Sequence, residues 1–310
     1  MEYLAEVRDG SEKTLCKGYW LCAVVGCEVN EKEIVPLSQQ LWSQEAPDFV
    51  SENAVIKEHV SAVLQATEHR GILVYDRGGD RREFLVPWTK DERVRYIVRQ
   101  RGDRHLMYKG KPKSGDGLAA LCKTPYAETV VREKDGKEKT YFIHFGFLPV
   151  RLPEHPERPL WLVVVKGFGS EPMMLLTTEP MRLNRKVVWW AVSAYMTRWR
   201  IEETIRFIKQ SYEFEDIRVL TYRRLQNLAV PALAAAQFAA TWLGTKAKLE
   251  ILAVHVMEAS KRIFGVPDFK YYALADGLSA IFKRVGGGLP ADHEPDVDSD
   301  PQLRMVLSSP

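Results

Sequence analysis

Four side chains in one short stretch are spaced to act together on a charged substrate. In YMTRWRIEETIRFIK, residues 195–209, these are Tyr195, Arg198, Glu202 and Lys209. On a helix turning about 100° per residue they fall at roughly 0°, 300°, 340° and 320°, an arc of about 60°. Ala194, Ile201, Ile205 and Ile208 fall on an adjoining arc at roughly 220° to 280°, the pattern of a packed stripe. Glu203 falls at about 80°, away from the polar stripe. The same spacings also make ordinary Arg–Glu and Glu–Lys pairs on a solvated helix face. The helix alone leaves both readings open.

A second carboxylate narrows the chemistry. In RGILVYDRGGD the run Ile72 to Tyr75 predicts a buried strand that ends on Asp76, and a Gly-Gly turn follows. Ligands of open α/β sheets gather at the carboxyl ends of strands. A strand-end Asp and a helix-borne Glu, far apart in sequence, suit a Mg²⁺ or Mn²⁺ site. Mg²⁺ is held by one or two carboxylates plus phosphate oxygens. Paired metals stabilise the attacking and leaving oxygens of in-line phosphoryl displacement. Arg198 and Lys209 beside Glu202 would then meet phosphates, the arginine as a fork and the lysine as a point charge. Asp80 reads as a turn or cap carboxylate rather than a ligand.

Several elements must position these groups. TLCKGYWLCAVVGCEVN and KEIVPLSQQLWS read as two strands. SENAVIKEHVSAVLQAT predicts a helix capped by Ser51, with Val55, Ile56, Val60, Val63 and Leu64 on one face. From residue 93 to about 177 short β runs alternate with turns, and VREKDGKEKTYF predicts a hairpin around Asp135-Gly136. NRKVVWWAVSAYMTRWRIEETIRFIKQS is the longest helical pattern. RRLQNLAVPALAAAQFAATWLG follows as another helix, kinked or divided at Pro231. The expected organisation is a first α/β part over residues 1–92, a β-rich antiparallel insert over 93–177 and a second α/β part with the signature helix over 178–245. C-terminal helices over 246–285 and an acidic, Pro/Gly-rich disordered tail over 286–310 complete it.

Composition sets the class. The 310 residues are 45% hydrophobic and 10% aromatic, as in an ordinary globular chain. No run of about 18 apolar residues is present, and the first residues lack the basic and apolar regions of a secretory signal. A cytoplasmic, nucleoid-associated protein is the expectation, with Cys16, Cys22, Cys27 and Cys122 as reduced core thiols. The net charge of +3 hides segregation: ADHEPDVDSD is acidic, whereas RVRYIVRQRGDRHLMYKGKPK and RWRIEETIRFIKQ are basic and carry Tyr and Trp. Such segments fit a polyanion such as nucleic acid, or simply a solvated basic surface.

The pattern Tyr195-x2-Arg198-x3-Glu202-x6-Lys209 resembles the Y-x2-R-x3-E-x6-K signature of bacterial insertion-sequence DDE transposases. VYDRGGDRREFL, with Asp76, Arg77 and Asp80, resembles the D-R-x-x-D motif around that family's second aspartate. The resemblance covers about residues 10 to 245. It implies a ribonuclease-H-like α/β core, Mg²⁺ (or Mn²⁺) as cofactor, and hydrolysis of a DNA phosphodiester followed by strand transfer. Asp76 and Glu202 would be metal ligands. Tyr195, Arg198 and Lys209 would position phosphates, and Trp199 would lie either near bases or in the core. DNA, as transposon ends and target, would be the partner, and the family acts as homodimers.

The family also uses an earlier Asp on a central first strand. Upstream of Asp76, Asp9 and Asp48 both fall in loops, and GYWLCAVVGCEV, read as the sheet's second strand, carries no Asp. The expectation is a core lacking its first strand, an N-terminally truncated transposase of low or no activity, and an unpaired strand edge within the sheet. A non-catalytic DNA-binding remnant and a ribonuclease-H-like nuclease are the alternatives.

Overall fold

The computed structural model describes residues 1–8, 14–29, 34–134, 137–199, 202, 219 and 221–237. They form a mixed α/β arrangement with an eight-stranded mixed sheet, two small two-stranded sheets and five α-helices.

The chain enters through two antiparallel ribbons. Strands β1 (Ala5–Arg8) and β2 (Leu15–Gly18) pair with each other, as do β3 (Trp20–Gly26) and β4 (Val35–Trp42). β3 thus joins β4 in its own ladder rather than the large sheet. Helix α1 (Glu52–Ala66) crosses this hairpin, and Ser51 Oγ accepts from the Ala54 N–H at 3.1 Å, the expected cap. Ile56, Val60 and Val63 are its buried face, and Leu64 packs at the edge of the same core.

The large sheet begins at β5 (Leu73–Tyr75), followed by a 3₁₀ turn (Arg77–Gly79), helix α2 (Arg82–Lys90) and β6 (Tyr96–Arg99). β5 and β6 run parallel, with Val74 opposite Ile97. β6, expected in the insert, is therefore the direct neighbour of the strand that ends on Asp76. β7 (His105–Tyr108), β8 (Lys111–Ser114), helix α3 (Gly115–Leu121), β9 (Tyr126–Lys134), β10 (Lys137–Leu152), β11 (His155–Lys166) and β12 (Met173–Thr177) complete it. The order is β5-β6-β12-β11-β10-β7-β8, with β9 also on β10. Strands β9 and β10 make the expected hairpin, whose Asp135-Gly136 turn lies outside the described residues. Among the described residues β5 pairs with β6 only, so it is the terminal strand of the path.

Strand alternation separates two cores. Tyr96, Val98, Leu160, Leu162, Val164, Met174 and Leu176 point to the side of α1, α2 and α3. Ile97, Val163, Val165, Met173 and Leu175 point to the other side, where helix α4 (Arg185–Thr197) lays Val188, Ala191, Val192 and Tyr195. Burial on both faces explains the unbroken apolar run of β12, MMLLT. Asn184 caps α4 through the Lys186 N–H at 2.9 Å.

Helix α2 carries Pro87 in its middle, so propensity argues against it; Phe84, Leu85 and Trp88 hold it to the sheet. Its carboxyl end is satisfied from a distance. Arg158 on β11 donates to the carbonyls of Trp88 (3.1 Å), Asp91 (2.9 Å) and Val94 (3.1 Å), and also to Thr89. Helix α5 (Tyr222–Gln237) runs through Pro231 without dividing. It packs on β4, with Leu225 and Ala229 against Leu41. The cysteines depart from expectation: Cys122 is buried and Cys22 half-buried, but Cys16 and Cys27 are exposed. Cys16 sits on the thin β1–β2 ribbon, which has too few layers to cover it. The stretches expected as C-terminal helices and acidic tail, 246–310, lie outside the described residues.

Candidate functional site

Asp76 follows directly on Tyr75, the last residue of β5. The turn after it is shaped by close approach: a Cβ on Gly79 would stand 2.6 Å from Tyr75 Cβ and 2.7 Å from its ring. Only glycine lets the 3₁₀ turn fold back onto the tyrosine. This places Asp76 as the cap of the turn, with Oδ1 accepting from the Gly78 N–H at 2.8 Å. Oδ2 remains, and its side chain is 52% exposed. Tyr75 beneath it is pushed up to about 12, first by burial and then by the nearby Cys22 and Asp76.

Helix α4 packs across β5 and delivers the other half of the site. Arg198 follows the last helical residue, Thr197, and closes the helix with its N–H on Tyr195 O. Its guanidinium lies between the two carboxylates. Nη2 is 3.1 Å from Glu202 Oε1, and Nη1 is 4.0 Å from Asp76 Oδ2. The side chain is only 15% exposed, against 48% for Glu202. The Tyr195 and Trp199 rings flank the guanidinium at 5.7 Å and 5.6 Å. Among the described residues, Arg198 Nε is buried without a hydrogen-bond partner.

The structure thus brings Asp76, Arg198 and Glu202 into one cluster, although α4 ends at Thr197, inside the run expected as one continuous helix. Tyr195 is part of the core on that side of the sheet, 2% exposed. It also lines a cleft of about 250 Å³ with Arg77, Arg99, Phe168 and Trp199. Trp199 itself is 45% exposed, so it stands at the surface of the cluster rather than in the core. Lys209 and Glu203 lie outside the described residues.

Sequence reasoning named Asp80 only as a turn carboxylate, and its environment is more specific. It is completely buried and accepts from Arg104 Nε at 2.6 Å and from the Arg101 N–H at 2.8 Å. Arg104 Nη2 also donates to the Asp80 carbonyl at 2.9 Å. Asp80 therefore ties the turn after β5 to the loop after β6. Arg99 was missed altogether; its Nε is buried without a partner beside the Tyr195 cleft. The dense RVRYIVRQRGDR run was the available signal, but strand alternation alone does not say which arginine faces the cleft.

Asp76 and Glu202 can offer carboxylate oxygens to one hard cation, with phosphate and water oxygens completing its shell. Among the described residues no group of three or more His, Cys, Asp or Glu side chains is placed to share an ion. Each of the two carboxylates is about half exposed and of the hard-oxygen type that suits Mg²⁺ or Mn²⁺. No protein-family model and no curated protein matches the chain.

Proposed function

We propose that the chain is a DNA transposase of the DDE type, whose Asp76 and Glu202 form the site for metal-assisted phosphodiester hydrolysis and strand transfer. The observation that carries this reading is Arg198: it spans two carboxylates from distant parts of the sequence, each about half exposed and available. The parallel pairing of β5 with β6 and the flanking of the sheet by helices on both faces support a ribonuclease-H-like core.

Asp76 and Glu202 would hold the Mg²⁺. A bound ion would polarise a phosphodiester oxygen and ease deprotonation of an attacking water or hydroxyl. Arg198 would exchange one carboxylate for a phosphate, a partner its planar fork matches. The Tyr195 and Trp199 rings, 5.7 Å and 5.6 Å from the guanidinium, also hold it, so its orientation does not depend on the carboxylates alone. Lys209 would add a further positive charge for the DNA backbone.

The test is strand transfer of a pre-cut DNA end with Mg²⁺. Joining to target DNA supports a transposase. Cutting without joining points instead to a nuclease. Binding that persists in EDTA, falls steeply with salt and gives neither reaction points to a non-catalytic DNA-binding protein. Absence of binding at low salt removes the DNA-based readings altogether.

A further inference from the structure

We infer that a second cleft, next to the carboxylate pair but separate from it, binds a phosphate group of a nucleic-acid backbone. It has a volume of about 490 Å³ and is lined by Arg77, Gly78, Asp80, Arg81, Arg82, Glu83, Arg101 and Arg104. Five arginines face two acids, and one of those acids, Asp80, is buried behind the wall.

The walls are preorganised. Asp80 is bound to the backbone of Arg101 and to the side chain of Arg104, so the loop after β6 and the turn after β5 cannot separate without breaking a buried ion pair. The Arg101 N–H and Arg104 Nε are used in this frame. Arg77, Arg82 and Arg101 reach from it with about half or more of their side chains exposed.

Arg82 Nε donates to Glu154 Oε1 at 2.8 Å, and Arg101 Nε lies 3.7 Å from the buried Asp80. The remaining pairs are loose: Arg77 meets Glu171 at 3.6 Å and Arg101 meets Asp103 at 3.8 Å. Exposed pairs of this kind contribute about 0–1 kcal/mol. An incoming phosphate therefore displaces little and gains charge-assisted hydrogen bonds. Arg81, which precedes α2, is held by Asn53 Oδ1 at 2.6 Å and Glu52 Oε1 at 3.0 Å.

Arg77 also lines the cleft beside Tyr195 and Trp199. The two clefts meet at that residue, and it follows Asp76 directly. A backbone whose scissile phosphate lies at Asp76 and Glu202 would continue past Arg77 into the arginine cleft. That continuity rests on the proposed function; the phosphate site itself does not.

The experiment measures binding of a fluorescently labelled DNA oligonucleotide across a salt series, and of inorganic phosphate by calorimetry. Arg82→Ala and Arg101→Ala are compared with Arg93→Ala, an exposed arginine whose ion pair among the described residues is with Asp91. The expected result is a several-fold weaker oligonucleotide affinity for each of the first two, with the salt slope reduced by about 1, and no change for Arg93→Ala. Arg82→Lys should recover part of the loss. Binding is measured in EDTA, which removes any ion from the carboxylate pair, so failure of the catalytic reading would not mimic failure of the cleft. Loss of inorganic phosphate binding with unchanged oligonucleotide binding would overturn the nucleic-acid assignment in favour of a free phosphate. Unchanged binding of both would overturn the site. Thermal melts matching the parent exclude unfolding as the cause.

Discussion

Asp76 and Asp80 stand four residues apart on either side of one turn, yet they have opposite surroundings. Asp80 is sealed: no part of its side chain is exposed, and three donors from the loop after β6 close on its carboxylate and carbonyl. Asp76 keeps half of its side chain in solvent, with one oxygen on a turn amide and the other 4.0 Å from an arginine. A carboxylate whose partners are fully committed holds the fold. One whose partners can be exchanged remains available to a ligand. The contrast separates structural from functional acid more sharply than sequence spacing could.

The largest effect that could break this comparison is on stability. Asp80→Ala leaves Arg104 without its partner in a largely buried place, and a loss of about 3 kcal/mol is expected by chemical denaturation. Asp76→Ala should cost less than about 1 kcal/mol, the worth of a cap on a single exposed turn. Equal losses from the two would mean that both acids are structural. Arg158→Ala comes next, at about 2 kcal/mol, because several carbonyls after α2 lose one shared donor. It calibrates how much a distant arginine contributes when it has no functional reading.

In a metal-dependent cleavage assay, Glu202→Ala should remove the activity and Glu203→Ala should keep it. Similar losses from both would remove the distinction between the polar stripe and its neighbour. The smallest effect provides a background for the two aspartates. His59 bonds to Ser38 and to Gln40 Oε1, and burial lowers its pKa below the usual 6.5, partly offset by Glu58. A base with a depressed folded pKa binds fewer protons folded than unfolded, so its share of stability is present above about pH 6.5 and lost as pH falls. The fall in stability between pH 7.5 and 5.5, read from melts, should be larger in the parent than in His59→Gln. An unchanged difference would show that His59 carries none of it.

Much of the frame was legible in the sequence because local rules decide it. Ser51 before an apolar-periodic run marked α1, and LVYD marked a strand with an acid at its end. Arg198 and Glu202, four residues apart, marked a pair. What escaped depends on tertiary partners. Helix α2 is held by Phe84, Leu85, Trp88 and the remote Arg158, against the preference of Pro87. β6 lies beside β5, although its residues looked like the start of an insert, because parallel pairing leaves no local sign. Asp80 looked like any turn acid because Arg104, which buries it, lies in another loop.

The central claim is that Asp76 and Glu202 share one divalent cation. Titration of the intact chain with Mn²⁺, read by the electron paramagnetic resonance signal of the free ion, tests it without relying on activity. One ion per chain is predicted for the parent and for Glu203→Gln, with that binding lost in both Asp76→Asn and Glu202→Gln. Undiminished Mn²⁺ binding in either of the last two would contradict the claim.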